Sequence, residues 1–156
     1  MIRLRDDKSF PKPSPLLEQD AFMSIQRNAD WLMREFEEIL SEDNLSPAQY
    51  NVLRILRTAG PGGMACHEIG ERMITRDPDM TRLLDRLEER ELLSRSREKH
   101  DRRVIRTRIS QAGLKLLRDL DDPVRSLHRR QLGHLNEKRL RLLVRLLESV
   151  REQATR

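Results

Sequence analysis

The sequence predicts a mainly α-helical protein with one small β-hairpin, an α+β class. Over most of the chain beyond residue 16, apolar side chains recur at spacings of three and four, the period of an amphipathic helix. Residues 92–97 and 104–109 are instead strand-like, and the second of these segments alternates and is rich in β-branched residues. A length of 156 residues fits one domain with one core.

Composition excludes several classes of protein. No apolar run approaches the ~18 residues that a membrane span needs, and residues 1–12 lack the apolar region of a secretory signal. A single cysteine, Cys66, cannot form an internal disulfide or a paired-cysteine zinc site. The sequence has no GxSxG motif and no phosphate-binding glycine loop. We therefore expect a cytoplasmic protein without membrane contact, metal, cofactor or enzymatic activity.

The N-terminal part divides into an arm and a helix. Residues 1–15 contain three prolines and little apolar content, which predicts a mobile arm. The helix that follows carries one apolar stripe in heptad register, at Phe22, Ile25, Ala29, Leu32, Phe36 and Ile39. Such a narrow stripe suits packing against other helices, including those of a second subunit.

The first central helix has clear start and stop signals. Ser46 is its predicted N-cap, Pro47 occupies the first helical position, and Gln49 completes a capping box. The glycine-rich run at residues 60–63 ends the helix.

Two short amphipathic helices follow, joined by a tight turn. The first places Cys66, Ile69 and Met73 on one face. The second is predicted to begin with Asp77 as N-cap and Pro78 at the first position. Its apolar face consists of Met80, Leu83, Leu84 and Leu87. Because threonine and arginine face outward near its N-terminus, the pair predicts a helix-turn-helix with a DNA-recognition helix.

The hairpin carries the densest positive charge in the chain. The net charge is only +5, yet residues 93–108 hold seven basic and two acidic side chains. Arginines on strands that follow a helix-turn-helix favour contact with DNA phosphates and a minor groove over mere protection of an exposed strand edge. Of the 31 basic residues, 26 are arginine, which suits bidentate contacts, although codon usage explains such an excess equally well.

Two further helices are predicted after the hairpin. Ser110 caps the first, which has leucines at 114, 117 and 120 and is kinked or restarted at Pro123. Asn136 caps the second, whose inward stripe is Leu140, Leu143, Leu147 and Val150. Residues 114–156 hold eleven basic and six acidic groups, which we assign only to solubility or flanking phosphate contacts.

Several of these segments resemble the MarR family of winged-helix regulators. The motifs are LSPAQYNVL (45–53), EIGERM (68–73), TRLLDRLE (81–88), DRRV (101–104) and ISQAG (109–113). The resemblance covers roughly residues 16–151. The aspartate–arginine–arginine run before a helix start is its most specific part.

The resemblance implies a winged helix-turn-helix with N- and C-terminal dimerisation helices. In a single domain of residues 16–156, residues 45–109 would bind DNA, and residues 16–44 and 110–156 would form a homodimer. It further implies a recognition helix in the major groove and the hairpin, or wing, in the minor groove. Members of the family are commonly repressors that small aromatic effectors or oxidation release from DNA. One departure is Glu91, where members usually have glycine; a left-handed cap there costs on the order of 1 kcal/mol.

The candidate DNA-contacting side chains lie on the recognition helix and the wing. They are Arg76, Asp79, Thr81, Arg82, Arg86, Arg102, Arg103 and Arg106. Arg82 and Arg86 lie four residues apart and suit bidentate contacts to guanine, with pairing to Asp79 and Glu89 as the alternative. Asp79 suits a helix cap better than cytosine readout, and Thr81 suits a phosphate or a thymine methyl.

The wing residues receive their roles partly from the resemblance. By it, Arg103 is the arginine that enters the minor groove and Asp101 is the acid that orients it. A carboxylate two residues away can fix a guanidinium by a charge-assisted hydrogen bond. Arg102 and Arg106 are expected to contact phosphate.

Three other groups of residues have competing interpretations. Cys66 shares an apolar face, which favours a buried structural thiol over a redox sensor. The cluster of His67, Glu68 and Glu71 is expected to be solvated rather than to bind metal. Trp31 and Tyr50 are candidates for stacking an aromatic effector, with core or dimer packing as the favoured alternative.

These observations predict a sequence-specific transcriptional regulator. We expect a homodimeric repressor of double-stranded DNA that binds a pseudo-palindrome with half-sites about 10 bp apart and is released by a small aromatic effector. The alternatives are a winged-helix module for protein interaction and an architectural DNA-binding protein without an effector.

Overall fold

The computed structural model describes residues 16–75, 79–98 and 104–153. The arm predicted for residues 1–15 lies outside these ranges. The described chain divides into two compact units, one ending at Glu35 and the other beginning at Phe36. No helix in the described ranges is long and apolar enough to cross a membrane.

The secondary structure is mainly helical, with one small sheet. The helices are α1 (Leu17–Ser41), α2 (Pro47–Ala59), α3 (Cys66–Arg72), α4 (Met80–Glu89), α5 (Gln111–Leu132) and α6 (Glu137–Gln153), and a 3-10 helix covers Gly60–Gly62. The strands are β1 (Met64–Ala65), β2 (Leu93–Arg97) and β3 (Ile105–Ile109). The predicted α+β class is confirmed.

The predicted helix starts at residues 46, 110 and 136 are confirmed by side-chain caps. The Ser46 Oγ accepts a hydrogen bond from the Gln49 N–H at 3.2 Å, and the Gln49 Oε1 accepts one from the Ser46 N–H at 3.0 Å. The Ser110 Oγ caps Gly113 at 3.0 Å. The Asn136 Oδ1 accepts from the backbone N–H three residues on, also at 3.0 Å. Each cap satisfies backbone donors that an α-helix leaves unpaired at its start.

The sheet is antiparallel in the order β1-β3-β2. The predicted hairpin is formed by β2 and β3, with Leu93 opposite Ile109. Strand β1, which the sequence analysis did not predict, pairs Met64 with Thr107. The short β1 strand ties the start of α3 to β3, so the hairpin is anchored at its base along the β3 edge.

One hydrophobic core lies in the second unit between the helices and the sheet. Helices α2 and α5, the two helices of the helix-turn-helix and the base of the hairpin all contribute to it. Its fully buried side chains include Leu53, Leu56, Ile69, Leu87 and Leu117. Each of these side chains stabilises the fold by about 1.5–3 kcal/mol when buried. The core therefore holds α3, α4 and the sheet in one fixed arrangement.

Three sequence predictions need correction. Helix α4 begins at Met80 with Asp79 as its N-cap, whereas Asp77 was the expected cap; Asp77 and Pro78 lie outside the described residues. Helix α5 runs from Gln111 to Leu132 with Pro123 inside it, so the helix is not restarted at the proline; the kink stays a prediction. The apolar stripe of α6 is not inward, since none of residues 137–152 is buried in the single chain.

Helices α1 and α6 both expose apolar side chains. On α1 in the first unit, Phe22 is 58% exposed and Ile25 is 44% exposed. On α6 in the second unit, Leu143, Leu147 and Val150 are exposed. Contiguous apolar surface of this kind is typical of a protein–protein interface.

Glu91 adopts the strained backbone that the sequence analysis anticipated. Its φ is 56°, in the left-handed region. The Glu91 N–H donates to the Glu88 carbonyl at 2.8 Å and the Leu92 N–H donates to the Leu87 carbonyl at 3.0 Å, which is the Schellman pattern. The end of α4 therefore has the turn that usually contains glycine, with glutamate in the left-handed position.

Replacing Glu91 by glycine is expected to raise the free energy of unfolding by about 1 kcal/mol, because glycine adopts a positive φ without steric cost. Urea unfolding at fixed protein concentration measures the change. The matched control is Glu89→Gly, an exposed glutamate within α4, which should lower stability by up to about 1 kcal/mol. Equal signs for the two variants would contradict the strain at position 91.

Candidate nucleic-acid interface

Helix α4, the predicted recognition helix, presents its polar face to solvent. Its apolar face is buried through Leu83, Leu84 and Leu87. Thr81, Arg82 and Arg86 all lie on the exposed side. The burial of one face therefore fixes which side chains point outward.

Asp79 and Arg82 interact only weakly through their charges. The Asp79 carboxylate accepts a hydrogen bond from the Arg82 N–H at 3.1 Å, as a cap does. The Arg82 guanidinium lies 3.9 Å from that carboxylate, and the side chain is 72% exposed. Arg86 forms no ion pair with any residue that the structure describes, so the alternative pairing with Glu89 is not seen. Both guanidinium groups can reach an external partner.

Asn51 holds the turn between α3 and α4. Its side chain is buried, and its Oδ1 accepts a hydrogen bond from the Ile74 N–H at 2.9 Å. The bond ties the turn of the helix-turn-helix to α2. Asn51 is not among the residues predicted from the sequence; the signal for it there is a polar residue amid the apolar residues of α2.

Arg95 joins the hairpin to the recognition helix. Its Nε donates to the Glu88 Oε2 at 2.9 Å and its backbone N–H donates to the Glu88 Oε1 at 2.9 Å. Its Nη2 also pairs with Asp85. The hydrogen bonds that Arg95 donates hold the pKa of Glu88 below its usual range, and the Glu88 and Asp85 carboxylates that accept them raise the pKa of Arg95. Arg95 therefore ties β2 to α4 through Glu88 and Asp85.

Arg106 is paired inside the protein. Its guanidinium lies 3.2 Å from Glu98 and 3.3 Å from Glu68, and its side chain is 29% exposed. Glu68 also accepts a hydrogen bond from the Ala65 N–H at 2.7 Å; this bond is the main reason its pKa is lowered, with Arg106 contributing. A phosphate contact by Arg106 stays a prediction, and it requires the guanidinium to exchange carboxylates for phosphate.

Arg97 is a candidate that the sequence analysis did not single out. It lies at the end of β2 towards the tip of the hairpin and is exposed. It forms no ion pair within the described ranges, whereas Arg108 on β3 donates to the Pro61 carbonyl at 3.0 Å and to the Ser96 Oγ at 2.7 Å. The position of an arginine along a hairpin strand does not predict whether its guanidinium is paired within the protein. The three-dimensional fold determines this pairing.

The other predicted wing and turn residues cannot be placed. Arg76, Asp101, Arg102 and Arg103 lie outside the described residues. Their roles stay predictions.

Tyr50, Trp31 and Cys66 have distinct environments. Tyr50 is buried, with the Phe36 ring 5.3 Å away edge-on and the Arg54 guanidinium 5.8 Å from its ring centre, and burial raises its pKa. Trp31, in the first unit, is 40% exposed. Cys66 is half-buried and packs against the core rather than lying wholly inside it. No group of three metal-binding side chains occurs among the described residues.

Known proteins resemble this chain across most of its length. The sequence profile of the MarR family matches residues 45–105. The HTH-type transcriptional repressor MdtR of Bacillus subtilis is 31% identical over 102 residues, which cover 65% of this chain and 64% of MdtR. The chain thus spans somewhat less than two thirds of that relative.

Solved structures extend the likeness. The MarR transcription factor of Planctomyces limnophilus is 46% identical, with a TM-score of 0.67 over 87% of this chain and 98% of that one. A mutant MarR of E. coli, complexed with operator DNA, shares the fold at 23% identity, with a TM-score of 0.76 over 88% of this chain and 99% of that one. With nearly the whole of the Planctomyces protein covered at that identity, the chain belongs to the MarR family of transcriptional regulators, which have a winged-helix DNA-binding fold.

Proposed function

We propose that this protein is a homodimeric repressor that binds a pseudo-palindromic operator in double-stranded DNA. The supporting observation is the exposed face of α4, where Thr81, Arg82 and Arg86 project from a helix whose other face is buried. The N-terminal half of a recognition helix is where base contacts are made. Arginine in the major groove reads guanine by a bidentate hydrogen bond.

The hairpin is the second part of the proposed interface. Arg95 joins β2 to α4 through Glu88 and Asp85, and this contact would hold the wing beside the recognition helix. Arg97 and the tip residues Arg102 and Arg103 would then reach the backbone or the minor groove beside the bases that α4 reads. Residues 45–109 form the proposed DNA-binding region.

The proposed homodimer rests on helices α1 and α6. Each has exposed apolar side chains that one chain leaves in water. Residues 16–44 and 110–156 would bury these surfaces against a second copy. A two-fold dimer carries two recognition helices, which matches an operator with half-sites about 10 bp apart.

Repression and release by a small aromatic effector are the finer parts of the proposal. The likeness to MdtR, named as a repressor, supports the sign of regulation. The sequence resemblance to the MarR family supports release by a small aromatic effector. Tyr50 contributes to the core, so it supports an effector site less well than an exposed ring would. We place the activity in the cytoplasm and propose no enzymatic function.

Replacing Arg86 by alanine is expected to weaken binding to the DNA upstream of the protein's own gene by about tenfold or more, because one bidentate arginine–guanine contact contributes ~1–3 kcal/mol. Fluorescence anisotropy of the labelled DNA measures the Kd at fixed salt.

The matched control for Arg86 is Arg118→Ala, an exposed arginine on α5. It removes the same charge away from α4 and should leave the Kd nearly unchanged. Equal losses in both variants would mean that only net charge matters, and no loss in either would contradict the role of α4. Binding of unrelated DNA with equal affinity would contradict a specific operator.

A further inference from the structure

Helices α1 and α4 end in the same kind of turn. At the end of α1, the Asn44 N–H donates to the Ser41 carbonyl at 3.0 Å and the Leu45 N–H donates to the Leu40 carbonyl at 3.0 Å, the pattern already described for α4. Asn44 has a φ of 52°, so this turn, like the one at Glu91, places a residue other than glycine in the left-handed region. A buried leucine follows in each turn, so the core holds both turns in place.

Arg90 joins the two turns. Its Nη1 donates to the Asn44 carbonyl at 2.7 Å, and its Nη2 donates to the Asp43 carbonyl at 2.8 Å. One planar guanidinium therefore binds two successive backbone carbonyls. Helix α1 has no basic side chain in its own last turn, so Arg90 supplies the positive charge that the C-terminal end of a helix favours.

This contact fixes the C-terminal end of α4 relative to the turn after α1. Arg90 is the C-cap of α4, and all of these residues lie in the second unit. The side chain is exposed, so water can replace its hydrogen bonds, and its contribution to overall stability is correspondingly small. Its geometry is demanding, however, because two donors in a rigid fork must reach two carbonyls at the same time.

A two-fold dimer would amplify any displacement of α4. Whatever displacement occurs in one subunit is repeated in the other. Successive base pairs are about 3.4 Å apart, so a displacement of about 1.7 Å in each subunit changes the separation of two recognition helices by one base-pair step. A displacement of about 1.7 Å along the hydrogen bonds from Arg90 would break both of them, because a hydrogen bond does not form beyond about 3.5 Å.

We propose that Arg90 is a positioning residue that determines which spacing of operator half-sites the dimer accepts. It acts through α4 and does not contact DNA itself. By binding the turn that ends residues 16–44, it holds α4 at one distance from the segment proposed to form the dimer. The inference rests on the proposed function, since it requires a homodimer and an operator with two half-sites.

The first test measures spacing discrimination. Fluorescence anisotropy gives the Kd for the DNA upstream of the protein's own gene and for the same DNA with one base pair inserted or deleted between the half-sites. We expect each change to weaken binding by the wild-type protein about a hundredfold and binding by Arg90→Ala only about tenfold. Arg90→Lys keeps the charge but not the fork, so it should lose discrimination in the same way. The exposed control Arg118→Ala should retain it.

The second test separates positioning from a direct contact with phosphate. If Arg90 acts only through α4, Arg90→Ala keeps the wild-type slope of log Kd against log salt concentration. A slope reduced by about one unit would assign a phosphate contact to Arg90 and overturn the proposal.

The third test needs no DNA. One spin label per subunit at Glu89→Cys, with Cys66→Ser to remove the native thiol, reports the distance between the two α4 helices of a dimer by pulsed electron paramagnetic resonance. We expect Arg90→Ala to broaden the distribution of this distance, because α4 is no longer held at its C-terminal end.

The combined outcomes distinguish the inference from the function on which it rests. Unchanged spacing discrimination and an unchanged label distribution in both Arg90 variants would overturn the role of Arg90. Full discrimination in Arg90→Lys would overturn the role of the fork. If Arg90→Ala does not fold, Arg90→Lys alone decides. If the wild-type sequence binds no operator, or its labels show no distance between subunits, the proposed function fails and the inference falls with it.

Discussion

Replacing Gly113 by alanine is expected to lower the free energy of unfolding by about 3 kcal/mol, the upper range for overpacking a closed site. Gly113 lies in the first turn of α5. A Cβ built there overlaps the Leu92 carbonyl oxygen and lies 2.8 Å from the Ile109 Cγ1. The Leu92 carbonyl cannot retreat freely, because it accepts a hydrogen bond from the Ser110 N–H at 3.1 Å.

The sign of the change in the free energy of unfolding distinguishes a steric clash from ordinary helix propensity, because the two effects have opposite signs. In an unobstructed helix, glycine to alanine stabilises by up to about 1 kcal/mol. The control is Gly62→Ala, since a Cβ at position 62 meets nothing within 4 Å. Urea unfolding of both variants measures the difference. A stable Gly113→Ala protein would show that β3 and α5 can separate at their junction.

The position of Gly113 also connects stability to DNA binding. Leu92 follows the strained Glu91 at the end of α4, and Ile109 ends β3. The glycine therefore lies where the chain leaving α4, the end of β3 and the start of α5 meet. A shift at this junction would move the wing relative to α4, so we expect the variant to lose DNA affinity even under conditions where it stays folded.

Local structure could be predicted well from the sequence. The caps at Ser46, Ser110 and Asn136 depend on residues three positions apart, so the pattern alone identifies them. The strained turn at Glu91 was likewise visible, because a glycine position held another residue. Strand β1 was missed since two residues show no periodicity.

Contacts between distant residues could not be predicted in this way. Arg57 pairs with Asp121 and Arg95 with Asp85 and Glu88, and nothing in the local sequence separates these arginines from those left exposed. The number of basic and acidic side chains in the wing could be counted directly from the sequence. The distribution of this charge was not foreseen, because internal carboxylates neutralise Arg95 and Arg106 while Arg97 and the recognition-helix arginines remain exposed.

Helix α6 shows the limit of apolar periodicity as a signal. The spacing of apolar residues predicts which face of a helix is apolar, but it does not predict what packs against that face. The spacing of Leu143, Leu147 and Val150 was interpreted as inward packing, yet all three are exposed in the single chain. An apolar stripe this long on an otherwise charged helix requires a cover. A second copy of the chain is the cover that we propose.

Replacing Leu143 and Leu147 together by glutamate is therefore expected to abolish the dimer. Two carboxylates in a dry interface lose their hydration without gaining partners, which costs several kcal/mol. Because neither leucine is buried in the single chain, the fold of each subunit should survive. The affinity for a two-half-site operator should fall by about a hundredfold, since the second half-site contact is no longer tethered to the first.

Sedimentation equilibrium and operator anisotropy measure the two effects on the same samples. Ser149→Glu is the matched control, because it adds a carboxylate to α6 at an exposed position outside the stripe. It should leave both mass and Kd unchanged. A double glutamate variant that remains dimeric would move the interface away from this face of α6. A monomer that binds the full operator as tightly as before would instead show that each subunit binds alone, and the pseudo-palindromic operator would then be wrong.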